Sequence, residues 1–271
     1  MTRRGPLARR RVLVTRPRPQ SAPLVARLRA LGAEPIAIPT ISIAGPREGG
    51  PLDEALRRLS DYDWVVVTSA NGARACRARA RALGADLRGP RPRWAAVGPA
   101  TARALRAAGV TVAMLPSRFL TEAIAEEVPV AAGDRVLLPR TEAAPAGLAQ
   151  ALRRRGAVVD EVAAYRTIIA PPRSRPRLHA ALAGRGVDAV VVTSPSTVRG
   201  LVRLLGDRRG ALRRAAIACI GPVTAAAAVE EGLRPTVVAS EHTIDGLLEA
   251  LVAHYTARPR GGTHARDRAA R

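Results

Sequence analysis

Tyr62-Asp63-Trp64-Val65-Val66-Val67-Thr68-Ser69 returns 125 residues later as Val187-Asp188-Ala189-Val190-Val191-Val192-Thr193-Ser194. Each copy is a short apolar run rich in valine, with an acid near its start and two hydroxyls at its end. A continuous apolar run of this length suits a strand buried on both faces, as in a parallel sheet. Further along, Ala95-Ala96-Val97-Gly98-Pro99-Ala100-Thr101 is answered by Ala218-Cys219-Ile220-Gly221-Pro222-Val223-Thr224, 123 residues on. Upstream, Val12-Leu13-Val14-Thr15-Arg16 leads through a helical stretch ending at Leu31-Gly32 to an extended run, Pro35–Ile43. Val136-Leu137-Leu138-Pro139-Arg140, a helical stretch ending at Arg155-Gly156 and the run Val158–Ile169 repeat that phrase at an offset of 124. Each copy closes with a short extended run and a helix led by Thr121 or Thr243. The period is too long for a solenoid, so the chain contains a duplicated unit.

Between the strands lie Ala/Leu/Arg stretches with helical spacing. In the first, Leu24, Leu28 and Leu31 share a face that Arg27 and Arg29 avoid. Gly32, Gly109, Gly156 and Gly232 follow helix ends, where a left-handed cap is expected. Alternating strand and helix implies a doubly wound parallel sheet with right-handed crossovers. The fold class is therefore α/β, with two flavodoxin-like domains.

Composition narrows the function. The 271 residues are 47 % hydrophobic but only 2 % aromatic, so the core is built from Ala, Val, Leu and Ile. That disfavours binding of single strands through stacked bases. All 44 basic residues are arginine, which points to a mutational bias rather than to a nucleic-acid partner. Residues 1–11 and 257–271 carry 9 of the net charge of +22 and read as solvated tails. The excess on the body favours an anionic ligand. Cys76 and Cys219 lie in no metal-binding or disulfide pattern, and the four histidines lack ligand spacing. No secretory or membrane-spanning segment is read, so a cytoplasmic location is expected.

Ligands of such sheets bind at the carboxyl ends of strands, beside the starts of the following helices. There the sequence places Thr68 and Ser69, Thr193, Ser194 and Ser196, and the turns Gly98–Thr101 and Gly221–Thr224. Pro99 and Pro222 suit a first helical turn. Free N–H groups, the helix dipole and a hydroxyl together suit a carboxylate or phosphate. Plain N-capping explains any single one of these hydroxyls equally well, so they point to an anion only as a set. GxGxxG, GxxxxGK[ST] and GxSxG motifs are absent from the sequence, which disfavours dinucleotide, P-loop and serine-hydrolase chemistry.

Val12–Pro17, Tyr62–Ser69, Val97–Thr101, Leu152–Thr167 with Tyr165-Arg166-Thr167, Val190–Ser196 and Ile220–Thr224 together resemble the uroporphyrinogen-III synthase family, across residues 11–252. The resemblance implies two flavodoxin-like domains joined by a two-stranded linker, with the active site in the cleft between them. One domain would take residues 10–40 with 171–256 and the other residues 46–165. The linkers would be 41–45 and 166–170, and residues 1–9 and 257–271 would be basic disordered tails. The implied reaction closes hydroxymethylbilane to uroporphyrinogen III, inverting ring D and losing water. It is a lyase reaction of haem, sirohaem and corrinoid biosynthesis and needs no metal or cofactor. Tyr165 matches a family tyrosine that assists departure of the hydroxyl, or else packs at the domain boundary. Thr101, Thr224, Thr68, Ser69, Thr193, Ser194 and Ser196 match positions expected to hold substrate carboxylates. Arg16 and Arg140 follow equivalent strands and are candidates for the same task. The expected protein is a monomer that receives hydroxymethylbilane from its synthase, with no membrane or specific nucleic-acid partner. A non-enzymatic two-lobed binding protein for a small polyanion is the alternative, and a nucleic-acid-binding protein a more distant one.

Overall fold

The chain, seen in a computed structural model, is described from residue 5 to residue 257. In chain order it runs β1 (Arg11–Val14), α1 (Arg18–Ala30), β2 (Glu34–Ala37), β3 (Ile41–Ala44), α2 (Pro51–Arg57), β4 (Trp64–Val67), α3 (Ala70–Leu83), β5 (Arg93–Ala96), α4 (Pro99–Arg106) and β6 (Val112–Met114). It continues through α5 (Thr121–Glu127), β7 (Arg135–Thr141), α6 (Gly147–Arg154), β8 (Val158–Ile169), α7 (Ser174–Leu182), β9 (Ala189–Val192), α8 (Pro195–Leu205), β10 (Ala216–Cys219), α9 (Pro222–Glu230), β11 (Pro235–Val238) and α10 (Ile244–Ala257).

The described residues fall into two compact units. Unit 1 is drawn from Met1–Ser42 and Ile168–Arg271, and unit 2 is Ile43–Thr167. The sheet of unit 1 has the order β11-β10-β9-β1-β2, and every neighbouring pair is parallel. The second sheet has the order β3-β8-β7-β4-β5-β6, with parallel pairing from β8 to β6. Both orders contain the 2-1-3-4-5 winding of an open α/β sheet, entered at different points of the chain. Unit 1 takes β1 and β2 from the first copy of the repeat and β9, β10 and β11 from the second. Unit 2 takes the complementary strands.

The extended run Pro35–Ile43 is not one strand. It ends in unit 1 as β2, breaks at Pro39–Thr40 and resumes as β3, beside β8 in the second sheet. Pro39 has no N–H to give a ladder. Thr40 sends its N–H to Thr15 O and its hydroxyl to Thr197 O, at 3.0 and 2.8 Å, which fixes the point of departure.

Strand alternation builds a layer on each face of each sheet. In unit 1, Leu13, Val190 and Val192 pack on one side, and Val12, Val14, Ala189 and Val191 on the other. In unit 2, Val65, Val67 and Leu137 face one layer, and Trp64, Val66 and Val136 the opposite one.

The expectation of a disordered tail over residues 1–9 needs correction for residues 5–9. Leu7 is fully buried, and its N–H bonds Leu31 O at 3.0 Å. An apolar anchor plus a backbone bond outweighs the local run of charge. The rest of the two expected tails, residues 1–4 and 258–271, lies outside the described residues. Among the described residues, no helix is long and apolar enough to cross a membrane.

Candidate functional site

In unit 2 the carboxyl ends of β8, β7, β4 and β5 lie side by side. Ser69 ends the β4 turn and caps α3, its Oγ accepting the Gly72 N–H at 3.0 Å. The Ser69 hydroxyl then donates to the Tyr165 phenol oxygen at 3.1 Å. Tyr165 reaches this edge through an irregularity in β8. Arg140 pairs with Ala163, but Thr141 pairs with Tyr165, so Ala164 is an extra residue. Such a bulge re-aims the following side chain, and here it leaves Tyr165 half-buried where the β7–β8 ladder ends. Gly72 permits the geometry, since a Cβ there would stand 2.9 Å from the Pro139 carbonyl oxygen. Thr68, half-buried, adjoins Ser69. Thr101 lies in the first turn of α4, which follows β5.

In unit 1 the matching edge is formed after β1, β9 and β10. Arg16 follows β1 and donates from Nη2 to Gln20 Oε1 at 3.2 Å. Ser194 caps α8 in a capping box with Thr197, and Ser194 Oγ and Ser196 Oγ share a bond of 2.9 Å. Thr193 sends its N–H to Thr197 Oγ1 at 3.2 Å. Thr224 lies in the first turn of α9.

The expected hydroxyls thus divide. Ser69 and Ser194 are engaged as helix caps. Thr101 and Thr224 are 5 % and 4 % exposed, and neither hydroxyl makes a side-chain hydrogen bond among the described residues. Both helices begin with a proline that has no N–H, and in α4 the Thr101 N–H bonds Gly98 O at 3.0 Å, which leaves the Ala100 N–H at that helix start. Arg140 is used internally. It is 5 % exposed, and Nη1 donates to Glu161 Oε1 and Pro145 O, each at 2.8 Å. The structure therefore gathers Thr68, Ser69, Thr101, Arg140 and Tyr165 on one edge of unit 2. It gathers Arg16, Thr193, Ser194, Ser196 and Thr224 on the matching edge of unit 1.

Two rings escaped the sequence reading. A Cβ at Gly98 would meet Phe119 Cβ at 3.5 Å, and one at Gly221 would meet the His242 ring at 2.8 Å. At Gly221 the missing Cβ makes room for the ring beside the helix start that carries Thr224, whereas the distance at Gly98 is an ordinary van der Waals contact beside the start that carries Thr101. Phe119 is 58 % exposed, unusual for the one phenylalanine of the chain. The signal was available, because Phe119 and His242 share the 123-residue offset of Gly98 and Gly221.

The strong electrostatic perturbations lie away from these edges. The Arg79 guanidinium holds the buried Asp53 carboxyl below its ordinary range. Burial and Asp160 push the Tyr62 phenol up to about 12. Both cysteines are buried, which raises Cys76 to about 12 and Cys219 to about 11. Among the described residues, no group of three or more His, Cys, Asp or Glu side chains could hold a metal ion.

A family model described as uroporphyrinogen-III synthase HemD matches residues 22–249. The chain is 36 % identical over 253 residues to the uroporphyrinogen-III synthase of Synechococcus elongatus, covering 91 % of this chain and 96 % of that one. It is 30 % identical over 248 residues to the enzyme of that name from Salmonella typhimurium, covering 89 % and 99 %. A crystal structure of a mutant uroporphyrinogen III synthase from Thermus thermophilus aligns with a TM-score of 0.64 at 24 % identity, over 92 % of this chain and 99 % of that one. The Helicobacter pylori uroporphyrinogen-III synthetase structure aligns at 0.59 and 15 % identity, over 90 % and 99 %. At these identities the two structures speak for the fold.

Proposed function

The chain belongs to the uroporphyrinogen-III synthase family and is a lyase of tetrapyrrole biosynthesis, and from that premise we propose that Tyr165 helps the hydroxyl of hydroxymethylbilane to depart. The observation that carries this reading is the hydrogen bond from Ser69 Oγ to Tyr165 Oη at 3.1 Å. The phenol accepts from the serine and so keeps its own proton to donate. An O–H held at the leaving oxygen is a weak general acid. Ring closure with inversion of ring D is then an orientation effect, because the enzyme folds the linear tetrapyrrole so that ring D attacks at its substituted carbon.

The substrate bears an acetate and a propionate on every pyrrole. Thr101 and Thr224 contact these carboxylates together with the first-turn N–H groups of α4 and α9. Thr68, Thr193, Ser196 and Arg16 add contacts on their own edges. Ser69 and Ser194 act through the caps they hold, and Arg140 holds the end of β7 through Glu161. The protein works as a cytoplasmic monomer supplied by hydroxymethylbilane synthase.

Purified protein given fresh hydroxymethylbilane is expected to yield the type III isomer. Recovery of the spontaneous type I product alone would overturn the reading. Tyr165→Phe is expected to lower kcat by about 10²-fold with the fold intact. Unchanged turnover would remove Tyr165 from the mechanism.

A further inference from the structure

The amino-terminal edge of the unit 1 sheet, opposite the strand-end turns, holds an open cavity of about 1720 Å³. Among the described residues its walls carry Arg9, Arg10, Arg209, Arg213, Arg214 and Arg234 against a single acid, Asp188. That acid is already committed. Its Oδ1 takes Arg10 Nη1 at 3.2 Å, and its Oδ2 takes the Arg11 N–H at 2.7 Å. Arg209 is also used, donating to Glu231 O at 3.1 Å at the carboxyl end of α9, where a cation complements the helix dipole. Arg213, Arg214 and Arg234 are exposed and make no ion pair or side-chain hydrogen bond among the described residues.

The framework under these arginines is fixed. Leu7, fully buried, ties the segment before β1 onto α1, so Arg9 and Arg10 are held at the rim. Arg9 has φ of +64°, a left-handed conformation that arginine rarely adopts. The Arg10 guanidinium lies 4.4 Å from the Tyr255 ring centroid, and Tyr255 Oη donates to Asp188 O at 2.6 Å. Guanidinium groups gathered around one concavity repel one another until an anion enters, and their forks match oxyanions bidentately.

We propose that this cavity is a second anion site that takes a small, multiply charged phosphate compound. The concave shape favours a compact ligand over a duplex. Of the two rings described in its lining, Tyr255 lies against Arg10 and His254 stands edge-on to Tyr255, so no open platform is left for stacking a run of bases. The proposal does not depend on the reading of the strand-end turns.

The test is titration of the full chain with inorganic tripolyphosphate at about 150 mM salt, followed by calorimetry. One saturable site per chain is expected. Arg213→Glu with Arg234→Glu is expected to weaken it by about tenfold or more, and the milder R213Q/R234Q pair by about threefold. The milder pair carries the test if the charge-reversed protein melts early. Arg81→Glu with Arg106→Glu, exposed positions in unit 2, is expected to leave affinity within about twofold. The Thr101→Ala/Thr224→Ala pair should leave it unchanged, and turnover should survive R213E/R234E. Equal weakening by the unit 1 and unit 2 pairs, or no saturable binding, would overturn the proposal as a general effect of charge. Tighter binding of a short oligothymidylate than of tripolyphosphate would also overturn it and assign the edge to nucleic acid.

Discussion

Unit 1 and unit 2 wind five strands in the same order, but they keep different things inside. The buried polar side chains described in unit 1 are Thr15, Ser21, Thr40, Ser174, Thr197 and Thr224, all hydroxyls. Unit 2 buries Thr101 together with two charged groups, Asp53 and Arg140. Four of these unit 1 hydroxyls, those of Thr15, Ser21, Thr40 and Thr197, bond backbone carbonyls: Thr15 Oγ1 donates to Val191 O, and Thr197 Oγ1 to Ser194 O, both at 2.7 Å. The charges of unit 2 need particular partners, Arg79 for Asp53 and Glu161 for Arg140. The same contrast recurs at the paired turns. In unit 1 the residue three beyond Ser194 is Thr197, which completes a capping box. In unit 2 the residue three beyond Ser69 is Gly72, and the Ser69 proton goes to Tyr165 instead. One winding order thus tolerates two interiors, a redundant one and one that depends on single partners.

That contrast can be broken most strongly at Arg79. Removing it in Arg79→Ala leaves Asp53 buried and charged without its main partner, a loss of about 3–5 kcal/mol. Both tryptophans, Trp64 and Trp94, lie in unit 2. Their fluorescence should therefore show an early transition in denaturant, while circular dichroism retains a later phase from unit 1. A single joint transition would show that the units do not unfold separately. Gly72→Ala comes next. Its Cβ meets a backbone oxygen that cannot swing away, so unit 2 should lose about 1–3 kcal/mol by the same fluorescence readout.

Thr197→Val probes the redundant side. Loss of one cap should cost unit 1 about 0.5–2 kcal/mol, visible by circular dichroism and silent in tryptophan fluorescence. The gentlest test is acid. Asp53 is depressed from an ordinary value of 3.8 by Arg79, so its contribution is complete above that value and is lost as pH falls through its lower folded-state value. Unit 2 should lose stability below about pH 4, and Asp53→Asn should flatten that part of the curve. A slope unchanged in the variant would place the acid sensitivity elsewhere.

Much of this architecture was legible because strand, turn and helix are local phrases, and each was written twice. Val65–Val67 and Val190–Val192 could hardly be anything but inner strands. The helix starts at Gly98 and Gly221 followed from Pro and Gly chemistry. The break of Pro35–Ile43 into β2 and β3 was less visible, since it depends on Thr40 meeting Thr197, a residue 157 positions away. The bond between Ser69 and Tyr165 spans 96 residues and arises from a bulge that periodicity does not encode. The internal use of Arg140 was not legible either, because its partner, Glu161, comes from the neighbouring strand β8, 21 residues on. Phe119 and His242 lie in the loops before α5 and α10, where no strand or helix periodicity marks a side chain as part of a site.

The exchange of strands between the two copies also sets an order of events during synthesis. β1 is an inner strand of its sheet, bounded by β2 and β9. Residues 43–167, the whole of unit 2, leave the ribosome before β9 has been made. β1, α1 and β2 must therefore wait with the open, wholly apolar edge of Val12–Val14 unpaired, while the middle of the chain can already fold. An unpaired strand edge is where a nascent chain is most exposed to wrong partners. For this protein the interval of greatest risk lies between translation of Val14 and translation of Ala189, and any chaperone that serves it has to cover the beginning of the chain rather than its middle.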